Sequence, residues 1–169
     1  MNNTVYISDH FLSSGETAIR DVENNVIGYL DLKSMFKSGV SVLDVNRATL
    51  ASGKFKFFSN QWLVLNEVEE QIGVVKQKFF SFSKKYTYTT SGGDIFYFTS
   101  RAFSKNFLIF DERHQEVASF QRTSSFFSTP AYKINHNNDH FTTEELIIIV
   151  MGINAIEKRN QSNAANAGQ

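Results

Sequence analysis

The chain of 169 residues has no cysteine and a single proline. Without cysteine there is no disulfide, no thiolate nucleophile and no cysteine-ligated zinc or iron–sulfur centre. It also lacks a surplus of either charge, because Lys plus Arg and Asp plus Glu each number 17. That balance argues against the sequence-independent electrostatics of a nucleic-acid binder, while leaving room for local patches. The N-terminus, Met1-Asn2-Asn3-Thr4-Val5-Tyr6, has no basic stretch followed by an apolar run and does not read as a signal peptide. Long hydrophobic runs are missing too. The longest, Leu146–Met151, reaches Ile156 only across Gly152 and Asn154. A membrane-spanning helix needs about 20 apolar residues, so no transmembrane segment is expected.

Phenylalanine is abundant: 17 residues, beside 6 Tyr and 1 Trp. Flat rings pack well on a pleated surface, so this composition favours strands. Turn-like clusters separate short apolar runs near 4–12, 17–22, 26–33, 40–45, 49–58, 61–66, 71–80, 85–90, 94–99, 106–111, 116–122 and 130–135. About a dozen short strands at such spacing predict a barrel or sandwich, not alternating βαβ units. A loose repeat runs through them: apolar strand, turn opened by Asp or Asn, apolar strand. It occurs around Asp21, Asp44, Asn66 and Asp111. The short side chains of Asp and Asn bond nearby backbone N–H groups, so each copy reads as an antiparallel hairpin. In Lys54-Phe55-Lys56-Phe57 and in Tyr86-Thr87-Tyr88-Thr89 the aromatics alternate onto one face. Trp62–Leu65, Ile95–Phe98 and Phe107–Phe110 are apolar on both faces and call for cover on both sides. A dimer is one way to supply it.

The C-terminal segment predicts a helix over 142–159. Thr142 and Glu145 have capping-box spacing, and Glu144 and Glu145 place negative charge in the first turn. Residues 146–156 cover every angular position with apolar side chains, so the helix is expected to be buried all round. Lys158 and Arg159 close it at the end that favours cations. The polar, Ala/Asn/Ser-rich stretch 160–169 reads as a disordered tail behind a single domain of residues 1–159.

The order of these segments resembles the tubby C-terminal-like superfamily, in particular the LURP-one-related branch, relatives of the phospholipid scramblases. The likeness rests on the hairpins at Asp44–Leu50 and Asp111–Val117. It rests also on Trp62-Leu63-Val64-Leu65 followed by Ile72-Gly73-Val74-Val75-Lys76, and on Tyr132-Lys133-Ile134 leading through Asp139 to the apolar helix. The resemblance implies a mainly β fold: a closed antiparallel barrel of twelve strands wrapped around the C-terminal α-helix. It also implies association with phospholipid or phosphoinositide through basic side chains outside the barrel. The chain departs from tubby proteins in length and in its neutral charge, so no particular lipid site carries over.

The densest basic cluster is Lys76, Lys78, Lys84 and Lys85, interleaved with Phe79, Phe80 and Phe82. Cations beside rings can hold an anionic headgroup while the rings enter the interface. The plainer alternative is the solvated outside of a strand with lysines that deter edge-to-edge aggregation. His136-Asn137-Asn138-Asp139-His140 could offer two imidazoles and a carboxylate to a metal, but Asn and Asp also make an ordinary polar loop. Ser91-Gly92-Gly93-Asp94 lacks the Lys-Ser/Thr ending of a phosphate loop and reads as a hairpin turn. No nucleophile elbow is present among the many serines. The expectation is a non-enzymatic, cytoplasmic, peripheral binding module that needs no cofactor and meets an anionic phospholipid or a protein partner. The alternatives are a lipocalin-like carrier with an open apolar lumen, or a hydrolase or metalloenzyme built on His114, His136 or His140.

Overall fold

A computed structural model describes residues 3–8, 15–34, 39–78, 85–100, 106–126, 129–136 and 140–166. Twelve strands precede one helix: β1 (Asn3–Ser8), β2 (Glu16–Arg20), β3 (Val26–Ser34), β4 (Gly39–Leu43), β5 (Thr49–Phe55), β6 (Trp62–Asn66), β7 (Gln71–Lys78), β8 (Lys85–Thr90), β9 (Ile95–Thr99), β10 (Phe107–Phe110), β11 (Glu116–Phe126), β12 (Thr129–His136) and α1 (Thr143–Asn166). Each strand pairs antiparallel with the next in sequence. The sheet closes where β1 pairs with β12, Val5 opposite Ile134 and Ile7 opposite Tyr132. Closure removes every sheet edge and creates an interior that must be filled.

Period-two alternation decides what fills it. On β8, Tyr86 and Tyr88 point inward, and so do Phe96 and Phe98 on β9. The centre is α1. Every residue from Leu146 to Ile156 is buried, so an all-round apolar helix has found walls on all sides. The helix does not sit on the axis. It lies closest to β4–β7, where Gly53 on β5 and Gly152 on the helix flank the Trp62 indole. A Cβ at either glycine would come closer than 3.0 Å to that ring. On the opposite wall, large rings occupy the wider space. Phe120 and Tyr132 stack at 4.8 Å, and Phe107 lies 6.4 Å from Phe120. Asn154, buried among apolar groups, donates its Nδ2 to the Val150 carbonyl one turn back, 3.1 Å away. The helix backbone itself therefore supplies this amide with a partner.

Three expectations change. The helix continues to Asn166, seven residues past the predicted stop, through the stretch 160–166 read as a disordered tail. Ala164 and Ala165 are strong helix formers. Asn160 is also tied down: it accepts from Asn60 Nδ2 at 2.9 Å and donates to Gln77 Oε1 at 2.6 Å. Next, Phe57 does not share the inward face of Phe55. β5 stops at Phe55, and Phe57 lies in the following turn, 83% exposed. Finally, the outer faces of the two-faced apolar strands are partly covered within the chain itself. Leu63, Leu108 and Phe110 point outward yet are half-buried, and Leu65 is buried.

Candidate functional site

The two ends of the barrel are chemically unlike. The turns joining β2–β3, β4–β5, β6–β7, β8–β9 and β10–β11 gather at the end where α1 begins, here the turn end. At the exit end α1 leaves the barrel, beside the β5–β6 turn and the facing tips of β7 and β8.

At the turn end four connections share one construction. Asp111 Oδ1 accepts the backbone N–H groups of Arg113 and Gln115, at 2.9 and 2.8 Å. Asp21, Asp44 and Asn66 make the same pair of bonds in their turns. The fourth residue of each turn is left-handed: Asn24, Arg47, Glu69 and His114 have φ between 60° and 70°. The Asn25 side-chain bond, helped by the backbone bonds from Asn25 and Glu23, holds the Asp21 carboxyl below its ordinary range against desolvation. The turns are acidic: Asp21, Glu23, Asp44, Glu67, Glu69, Glu70, Asp94, Asp111 and Glu112, against Arg47 and Arg113. An open depression of about 460 Å³ lies between the β8–β9 and β10–β11 turns, lined by Asp94, Asp111, Glu112, Arg113, Gln115 and His140.

The histidines are scattered here. His136 is buried, with Nε2 3.0 Å from Thr143 Oγ1 at the helix start. His140 is exposed and tilted against Phe96 at 5.5 Å, and His114 stacks on Tyr97 at 6.2 Å. Asp139, the third member of the suggested metal set, lies outside the described residues. Among the described residues no group of three His, Asp or Glu is placed to hold a metal ion. Ser91–Asp94 is a hairpin turn, with Gly93 donating to the Thr90 carbonyl at 3.1 Å.

Thr142 caps α1 as its spacing predicts. Its Oγ1 accepts from Glu145 N at 3.1 Å, and its carbonyl accepts from Leu146 N. Glu145 then reaches inward to the Tyr88 hydroxyl, and Glu157 to the Tyr86 hydroxyl at 3.0 Å. Two Tyr–Glu pairs thus fasten β8 to both ends of the plug. Burial pushes the Glu145 carboxyl up, against the lowering effect of its bonds to Tyr88 and Thr142. Burial first, and the facing carboxylate second, push both tyrosine hydroxyls up.

At the exit end the sector formed by β5–β8 and the helix terminus is basic. Lys54, Lys56, Lys76, Lys78, Lys85, Lys158 and Arg159 stand there, with Glu157 turned to Tyr86. Of the predicted cluster, Lys76 and Lys78 lie on the outer face of β7 and Lys85 on β8, all exposed. Lys84 lies outside the described residues, as do Phe79, Phe80 and Phe82. Lys78 and Lys85 are directly opposite across the β7–β8 ladder, an arrangement that costs stability for like charges. No carboxylate among the described residues pairs with Lys76, Lys78 or Lys85. Lys78 instead places Nζ 5.1 Å over the Tyr97 ring. The balanced total charge of the sequence hides this separation along the barrel.

Comparison with known proteins adds the fold alone. No protein-family model and no curated protein matches the chain. A closed antiparallel β-barrel filled by its C-terminal helix is the class of protein that the structure defines. Among solved structures, the X-ray structure of the Arabidopsis thaliana protein AT5G01750 has the same architecture. It is 14% identical, covers 90% of this chain and 91% of its own, and superposes with a TM-score of 0.61.

Proposed function

We propose that the chain is a non-enzymatic, tubby-like binding module of the LURP-one-related kind that associates with anionic phospholipid at a cytoplasmic membrane face. The observation that carries this reading is the facing pair Lys78 and Lys85, with Lys76 beside them and, among the described residues, no carboxylate paired with them. Like charges held in register gain most from a shared anion, and a lipid headgroup supplies one. The filled interior supports binding on the outside. A carrier of a small apolar ligand would need the space that residues 146–156 occupy.

The test is sedimentation with vesicles of anionic or purely zwitterionic phospholipid. Binding to the anionic vesicles should weaken with salt. It should fall at least about tenfold when Lys76, Lys78, Lys84 and Lys85 are all changed to Gln. Undiminished binding by that variant removes the cluster from the account. No binding by the unaltered protein points to a protein partner.

A further inference from the structure

The tip of the β5–β6 connection is an anomaly. Phe57 is 83% exposed and Phe58 95%, the highest values of any large apolar residue among those described. Their rings lie 4.1 Å apart, packed on each other and not on the core. Ser59 N closes the turn on the Lys56 carbonyl at 3.1 Å, and Phe58, in third position, has φ of 50°. A positive φ at that position is the type II pattern, which calls for glycine. The other left-handed residues with side chains are Asn24, Arg47, Glu69 and His114, all polar and all at the turn end. A bulky ring in this conformation is disfavoured by the backbone, and an exposed one gains nothing from the core.

The turn beneath the rings is held firmly. Lys56 N donates to the Gln61 carbonyl at 2.9 Å, and Arg159 Nη1 donates to the Ser59 carbonyl at 2.9 Å. The Arg159 guanidinium also sits 3.2 Å over the Phe55 ring. Asn60 joins Asn160 and, through it, Gln77. The helix terminus therefore braces the tip against β7, so the rings are presented on a rigid base.

We propose that Phe57 and Phe58 form a wedge that enters an anionic bilayer and stands the barrel on the membrane by its exit end. This rests on the reading that the basic sector meets anionic lipid, and adds the docking element and the orientation. The surroundings select a lipid surface over a protein. Two rings offer far less area than the roughly 1,000 Å² of a specific protein interface. They rise at the same end of the barrel as Lys54, Lys56, Lys76, Lys78 and Lys85, which favour an anionic plane around a shallow apolar insertion.

The absence of cysteine makes the test direct. Phe57→Cys and, separately, Val68→Cys at the turn end each take one polarity-sensitive fluorophore, and each is mixed with phosphatidylserine–phosphatidylcholine vesicles. The probe at 57 should shift to the blue and be quenched by spin-labelled lipid, while the probe at 68 should not change. In unlabelled protein, Phe57→Ser combined with Phe58→Ser should lower vesicle affinity at least about tenfold, while Phe58→Gly should melt higher than the parent. Vesicle binding with the probe at 57 still in water overturns the wedge and leaves the lysine reading intact. Equal shifts at 57 and 68 overturn the end-on orientation. No vesicle binding by the parent protein overturns both. A concentration-dependent dimer that the double serine variant loses identifies a second copy as the occupant and overturns the membrane assignment.

Discussion

In the β10–β11 turn, Asp111 gathers two backbone N–H groups and the left-handed residue is His114. In the β5–β6 turn, no carboxylate stands at the opening position, Lys56, and the left-handed residue is Phe58. Both turns reverse a strand of the same barrel over a similar length. One is assembled from residues that suit its backbone, the other against backbone preference and with its apolar groups in water. Selection for stability alone accounts for the first and not the second. Strain and exposed apolar surface at one place are common marks of a contact made outside the molecule.

Changes to the shared plug should have the largest effect and strike both ends together. Truncation after Phe141 should unfold the barrel, because the walls would close on an empty interior; circular dichroism and size-exclusion chromatography would show it. A truncated chain that stays folded and monomeric would break the picture of two ends joined by one core. Gly152→Val should come next, since its side chain would collide with the Trp62 indole, at a cost of about 3 kcal/mol in chemical denaturation.

The ends themselves should then answer in opposite directions. Asp111→Ala removes the acceptor of two backbone bonds and should destabilise the fold by about 1 kcal/mol. Phe58→Gly relieves the left-handed ring and should stabilise it by up to about 1 kcal/mol. Equal signs for the two variants, read by denaturant midpoints, would erase the distinction between the turns. The smallest effect concerns pH. Glu145 has its folded pKa raised above the ordinary 4.5, so the folded state holds its proton more tightly than the unfolded chain. Its contribution is fully present below the ordinary value and is lost as pH rises through the raised one. Glu145→Gln should flatten the fall in melting temperature over that interval. An unchanged profile would show that the burial of Glu145 does not couple pH to stability.

Much of the fold was legible because it rests on local rules. Asp21, Asp44, Asn66 and Asp111 announced four hairpins, because an Asx side chain bonds its own turn. The all-round apolar run after Thr142 announced a buried helix, because only an enclosing wall can satisfy it. The site was less legible. Lys76, Lys78 and Lys85 stood out by proximity in sequence, but the register that sets Lys78 opposite Lys85 follows from strand pairing. Alternation along Lys54-Phe55-Lys56-Phe57 puts Phe57 on the face of Phe55, but β5 ends at Phe55, two residues earlier. The signal that separated it, the Phe-Phe-Ser-Asn sequence ahead of Trp62, is turn-like only once the hairpin register is fixed.

The sequence by itself determined that the chain forms short antiparallel strands and one apolar C-terminal helix, because periodicity, turn chemistry and capping are properties of neighbouring residues. Only the tertiary structure decided which groups share an end of the barrel. Closure and an antiparallel meander send alternate connections to opposite ends, so a sequence with no net charge folds into acidic turns at one end and a basic sector at the other. The same closure leaves Phe57 and Phe58 outside, with the helix terminus fixed beneath them.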